Sequence, residues 1–237
     1  MKNLLDFISL ADWLALLWFA ICWIGYAGFA ARKAKYQPTL ASSLSSIRGL
    51  WMSRIFTREV RIADVTALGI LQRNVTFFAS TTIFILAGLL TVLGATDQVV
   101  QLTNTLPFIV ENTRASWEVK LLVLIFIFVY AFFKFAWSVR QYNFAIVLLG
   151  AAPSNDASET EKSIFVVNAN EVLTRANNSF AHGLRAYSFA MAVLGWFIHP
   201  ILFAGCALWI VLVLHRREFH SNTLDALQAA GLLKPKQ

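Results

Sequence analysis

The feature that most constrains this chain is a set of four apolar runs, each near or above the roughly 20 residues that a helix needs to cross the hydrocarbon core of a bilayer. They lie at about residues 11–31, 75–96, 119–139 and 186–214. The overall balance agrees, since 58% of the 237 residues are hydrophobic, 14% are charged and the mean hydropathy is +0.61, far from a soluble composition. The polar stretches between the runs are too small to build an independent domain with its own core. The expectation is an all-α integral membrane protein, a single membrane domain of four transmembrane helices with amphipathic cytoplasmic helices. An ordinary soluble enzyme is excluded.

The net charge of +7 does not point to nucleic acid, because the basic residues cluster beside the apolar runs instead of on a soluble module. Only Lys2 precedes the first run, opposed by Asp6 and Asp12, whereas Arg32, Lys33 and Lys35 follow it. That flank predicts a retained anchor with its N-terminus outside. The next connection carries Arg32, Lys33, Lys35, Arg48, Arg54, Arg58, Arg61 and Arg73, while the second sets Asp97, Glu111 and Glu118 against Arg114 and Lys120. The first is therefore expected in the cytoplasm and the second outside. One count conflicts: four spans that start outside finish outside, yet Arg216, Arg217, Lys234 and Lys236 follow the last run. Cys22 and Cys206 each sit inside an apolar run, without the paired spacing of a zinc or redox motif, and read as packing thiols.

The connections carry helical periodicity. Leu44, Ile47, Trp51 and Ile55 recur at three- and four-residue spacing, and no breaker separates Glu59 from the second span, which predicts cytoplasmic helix over about residues 42–74. After a loop at Gly150-Ala-Ala-Pro153, Ser158 and Glu161 stand at capping-box separation and open a second amphipathic segment, about residues 158–185.

An ionisable side chain within a span costs a few kcal/mol on insertion scales, so it faces protein, water or a ligand instead of lipid tails. Two such groups stand out. Lys134 lies in the third span among aromatic residues, and His199 falls near the midpoint of the fourth, followed by Pro200. Lys134 reads either as a pathway cation or as a snorkelling lysine. His199 reads either as a polar station in a permeation path or as an imidazole satisfied by a neighbouring hydroxyl, with Pro200 predicting a kink or a trapped water. In the second span Thr76, Ser80, Thr81 and Thr82 either bond across helices or line a wet path. Arg73, Asn74, Arg140, Tyr142, Asn143 and Arg185 are expected near the inner interface, as a basic vestibule for anions or an anionic lipid headgroup, or as plain positive-inside anchors. Gly25 and Gly28 suit close helix approach.

No cofactor or metal is expected. His182, His215 and His220 lie at or beyond span ends, leaving His199 without a buried partner for haem, and the aromatic ladder Phe126, Tyr130, Phe133 and Trp137 suits packing around Lys134 better than a quinone. The sequence carries no phosphate loop, no H-E-x-x-H, no nucleophile elbow and no paired intramembrane carboxylates, so it is not expected to be an enzyme.

Across Asn74–Thr82, Tyr130–Lys134, Arg140–Asn143, Gly183–Tyr187, Gly195–Pro200 and Arg216–Phe219 the chain resembles a family of small bacterial membrane proteins catalogued as domain of unknown function five-nine-nine. The resemblance implies a multi-span membrane protein and brings no reaction or ligand with it. The combined expectation is a bacterial inner-membrane protein with a periplasmic N-terminus, a homo-oligomer in the lipid bilayer that conducts a small ion, an anion in preference. Two alternatives remain open, a non-conducting scaffold of a membrane complex and a quinone- or lipid-binding redox protein.

Overall fold

The computed structural model describes residues 9–34, 36–103 and 113–229. The topology markers Lys2, Asp6, Lys35, Glu111, Lys234 and Lys236 lie outside the described residues. Among those described there is helix and no strand. The helices are α1 (Leu10–Ala20), α2 (Tyr26–Lys33), α3 (Leu40–Ser53), α4 (Ile62–Gly94), α5 (Thr96–Thr103), α6 (Arg114–Gly150), α7 (Glu159–Trp196), α8 (Pro200–Phe219) and α9 (Asn222–Ala229). One π turn, Ile21–Gly25, links α1 to α2 without breaking the helical path. Four helical stretches are long and apolar enough to cross a membrane: Leu10–Lys33, Ile62–Gly94, Arg114–Gly150 and Pro200–Leu227.

Helix starts follow local chemistry. Ser9 accepts from the Asp12 amide at 3.2 Å, and Thr39 and Ser42 form a reciprocal capping box at the head of α3, each satisfying amides that have no partner inside the helix. Ser158 accepts from the Glu161 amide at 3.3 Å at the head of α7. The stretch Ile62–Gly94 is one helix of 33 residues.

The fourth apolar run departs from expectation. It is not one helix: α7 ends at Trp196, residues 197–199 form a turn, and α8 starts at Pro200. Proline has no amide proton and a fixed φ suited to the first helical position. The residue before it caps the new helix, with His199 Nδ1 accepting from the Ile201 amide at 3.1 Å. His199 is therefore exposed in a turn, and the expectation of an imidazole at mid-span is corrected. Its Nδ1 is taken up by the helix start.

The described helices divide into two compact units, each considered on its own. The first holds α1, α2, α4 from Thr81, α5, α6 to Phe132, α7 from Leu184 and α8 to His215. Its pairings fix helix directions. Asp12 meets Trp196, Phe19 meets Phe189 at 5.7 Å and Tyr26 meets Arg185, so the first span runs antiparallel to the end of α7. Trp18 donates to the Ala204 carbonyl and Phe29 lies 5.9 Å from His215, so the first span and α8 run parallel. Lys120 meets Trp196 and Phe128 meets Tyr187 at 5.1 Å, which sets α6 antiparallel to α7. Gly195 faces Leu202 and Cys206, and Trp196 stacks on Phe203 at 4.9 Å: α7 and α8 form a tight hairpin. No neighbour comes within 4 Å of a side chain at Gly25 or Gly28, so the close approach expected there does not occur within one chain.

The second unit holds α3, α4 to Ser80, α6 from Phe133, α7 to Gly183 and the residues from Arg216 onward. Gln72 bonds Asn143 while Phe78 meets Phe135 at 5.6 Å, setting α4 antiparallel to α6. Ser138 donates to the Ala176 carbonyl at 2.7 Å, and Phe135 and Phe180 lie 5.8 Å apart, so α6 and α7 are antiparallel as well. Arg61 donates to the carbonyls of Ala152 and Pro153, and Ala41 donates to Glu218.

Candidate functional site

In the first unit, polar chemistry gathers at the end where α6 begins and the α7–α8 hairpin turns. Asp12 is only 7% exposed. Its Oδ1 accepts from Trp196 Nε1 at 2.6 Å and its Oδ2 from Ser9 Oγ at 2.7 Å, charge-assisted bonds that hold a carboxylate in a low-dielectric setting. Lys120, 2% exposed, has its ammonium 5.7 Å from the Trp196 ring centroid and within electrostatic reach of Asp12. The Trp117 ring packs on Phe197 at 4.7 Å, and its Nε1 is buried with no hydrogen-bond partner.

Below this end the unit is filled by aromatic rings. Trp23 stacks on Phe189 at 5.4 Å, and Phe19 reaches Phe203 at 5.0 Å. At the opposite end of the first span, Lys33 Nζ lies 3.2 Å from His215 Nε2. Between the two ends, the Arg185 guanidinium sits 5.3 Å from the Tyr26 ring, and Thr82 shares a 2.7 Å hydrogen bond with Tyr187.

The second unit presents two basic arrangements. One is exposed: Gln72 Nε2 donates to Asn143 Oδ1 at 2.7 Å, and this bond joins the Arg73–Asn74 stretch of α4 to the Arg140–Asn143 stretch of α6. Arg73, Asn74, Arg140 and Asn143 are all exposed. Arg140 lies over Trp137 and Phe144 at 5.6 and 5.5 Å. Among the described residues no carboxylate pairs with Arg73 or Arg140. The other is half-buried where α3 packs on α7: Arg48 Nη2 is 3.4 Å from Thr174 Oγ1, Ser45 and Thr174 share a 2.9 Å bond, and Tyr142 is buried within electrostatic range. Burial pulls the Arg48 guanidinium below its ordinary value, with Tyr142 acting the other way.

The residues expected to form one pathway fall into both units. Thr81, Arg185 and His199 belong to the first, and Arg73, Asn74, Ser80, Lys134, Arg140, Tyr142 and Asn143 to the second. Of these the structure brings together the stretches 73–74 and 140–143. Ser80 is exposed and Lys134 half-buried. Sequence reasoning missed Asp12, Lys120 and Trp196, and it did not single out Arg48. Asp12 carried a signal, an acid three residues after Ser9 at a helix start, but its partner is 184 residues away. Among the described residues no group of three or more His, Cys, Asp or Glu is placed to hold a metal ion.

No curated protein and no solved structure matches the chain. A family model does match, over residues 14–223, which takes in Lys120, Trp196, the hairpin and both basic arrangements. The chain belongs to the family described as protein of unknown function, DUF599.

Proposed function

We propose that this protein is an inner-membrane homo-oligomer that conducts a small anion, collected at the exposed basic patch of Arg73 and Arg140. The observation that carries the reading is the Gln72–Asn143 hydrogen bond, which joins two helical stretches that each carry an exposed arginine, Arg73 and Arg140, with no acidic partner among the described residues. A one-signed patch raises the local concentration of counter-ions. Thr76 and Ser80 lie three and seven residues beyond Arg73 on α4, both exposed in the single chain. The Thr76 hydroxyl already donates to the Gln72 carbonyl at 3.0 Å, but small polar residues of this kind are enriched where membrane helices pack together, which favours a face shared between copies. His199 has no part in this reading, because it caps α8.

The helix pairings of the first unit support one orientation. With the Arg32–Lys33 end of the first span in the cytoplasm, the parallel α8 also ends there, and Arg216 and Arg217 obey the positive-inside rule. That requires the C-terminal part of α7, which is not among the four stretches long and apolar enough to cross by themselves, to bring the chain back out before α8 while packed against the first span, α6 and α8. The N-terminus is then periplasmic and the C-terminus cytoplasmic, which removes the conflict in the charge count.

The test is an anion-flux assay on the purified protein in liposomes, with chloride and nitrate. Wild type should exceed empty vesicles, and the double variant Arg73→Gln/Arg140→Gln should lower the flux while leaving the oligomer unchanged on a size-exclusion column. Arginines that merely anchor the helices would leave flux unaltered in correctly inserted protein. Wild-type flux equal to that of empty vesicles for both anions would overturn the proposal.

A further inference from the structure

The anion patch leaves one half-buried cation unexplained, Arg48, whose Nε is shut off from solvent. Arg48 Nε has no hydrogen-bond partner, and its Nη2 contact with Thr174 is long, at 3.4 Å. One turn earlier on α7, Asn170 Oδ1 is also buried with no partner. Asn170 faces α3 beside Arg48, since its amide nitrogen would lie 3.4 Å from a Cβ placed on Gly49. Among the described residues no carboxylate pairs with Arg48. A guanidinium cannot relieve its burial by losing a proton, and a buried charge without a counter-charge is heavily destabilising. Orphaned buried polar atoms in a folded chain call for a water or an ion.

The surrounding groups define the missing ion. Arg48 and one hydroxyl proton of the Ser45–Thr174 pair, the other being spent between the two, supply donors, which suit anionic oxygens. Asn170 Oδ1 is the exception, an acceptor that needs a proton from the ligand. Chloride and sulfate carry none near neutrality, whereas a phosphate monoester, with a second pKa of about 6, carries one part of the time and inorganic phosphate always keeps at least one. One turn further along the same α3–α7 interface is a groove of about 480 Å³, lined in part by Ser53, Phe56, Ser163 and Val166. It offers room for an organic remainder.

We propose that Arg48, Ser45, Thr174 and Asn170 form a binding site for a protonatable phosphate, either inorganic phosphate or the monoester headgroup of a lipid. The site does not depend on conduction and survives if the flux assay fails.

The experiment uses full-length protein in phosphatidylcholine nanodiscs in phosphate-free buffer, followed by thermal melting and calorimetric titration. Inorganic phosphate should raise the melting temperature and sulfate at equal concentration should not. In parallel, discs doped with phosphatidic acid, a monoester, are compared with discs doped with phosphatidylglycerol, a diester. A response to phosphate alone identifies a soluble ligand, and a response to phosphatidic acid alone identifies a lipid headgroup. Arg48→Met should weaken binding by about tenfold or more, the scale of a charge-assisted bond, yet melt no lower than wild type without phosphate, because an uncompensated cation has gone. If Arg48→Met does not fold, Thr174→Val takes its place. No response of wild type to either phosphate form, an equal response to sulfate, or an unchanged response in the Arg48 variant would each overturn the site.

Discussion

Replacing Gly183 by alanine tests how closely α6 and α7 approach in the second unit. In an open helix the exchange stabilises by about 1 kcal/mol, because glycine has more backbone freedom to lose. Here the added Cβ would lie 2.7 Å from both Cδ1 and Cζ of Phe135 and nearer still to Cε1. Carbon atoms pack at about 3.5–4.0 Å, so the ring must retreat by roughly 1 Å. It has nowhere to go: Phe135 is fully buried, with Phe78 at 5.6 Å and Phe180 at 5.8 Å. Overpacking of this kind costs about 1–3 kcal/mol, and a ring held on two sides places Gly183→Ala near the upper end. Subtracting the helical gain leaves a net loss of about 2 kcal/mol. Reversible unfolding in mixed micelles with rising SDS measures it. Gly69→Ala, at a position with no atom within 4 Å, is the control and should gain stability or stay level. Phe135→Leu in the Gly183→Ala background should recover part of the loss, so that the double variant is more stable than the two single effects predict. A Gly183→Ala protein as stable as the Gly69→Ala control would refute the close approach.

Three other outcomes follow from the first unit. Trp196→Phe keeps a ring against Phe203 but removes the donor to Asp12, and should cost about 1.5–3 kcal/mol in the same unfolding assay. Asp12→Asn should cost at least as much, since it also takes the carboxylate away from buried Lys120. His199→Ala should lose about 1 kcal/mol through the α8 cap while His199→Asn retains most of it, and neither should change anion flux; a flux defect in His199→Asn would return the imidazole to the pathway. A reporter that fluoresces only in the cytoplasm, fused to the C-terminus, should be bright, and a dark fusion with a well-inserted protein would reject the return of the chain through α7.

What the sequence disclosed depended on the range of the physics involved. Spanning a bilayer is a demand on contiguous residues, so the runs beginning near residues 11, 75 and 119 could be read from composition, and four helical stretches have the length and polarity to cross. Capping is equally local, which is why Ser158 with Glu161 marked the head of α7. His199 was misplaced for a local reason that was also legible: His–Pro suits a cap followed by a first helical residue, and the cost of a buried imidazole was argued before asking whether the helix continued through Pro200. Asp12 and Lys120 are a different matter. Each sits at the flank of an apolar run, where a charge reads as a marker of sidedness, and only the Trp196 ring, brought back by the hairpin, turns the two flanks into one buried cluster. Arg48 is hidden in the same way, among seven other basic residues of a connection that looked like a positive-inside signal. What distinguishes it is the burial of its Nε against α7, and Thr174, its nearest partner there, is 126 residues distant. Charge counting weighs every arginine alike, so the one that needs a ligand emerges only when packing shows which has been taken out of water without a counter-charge.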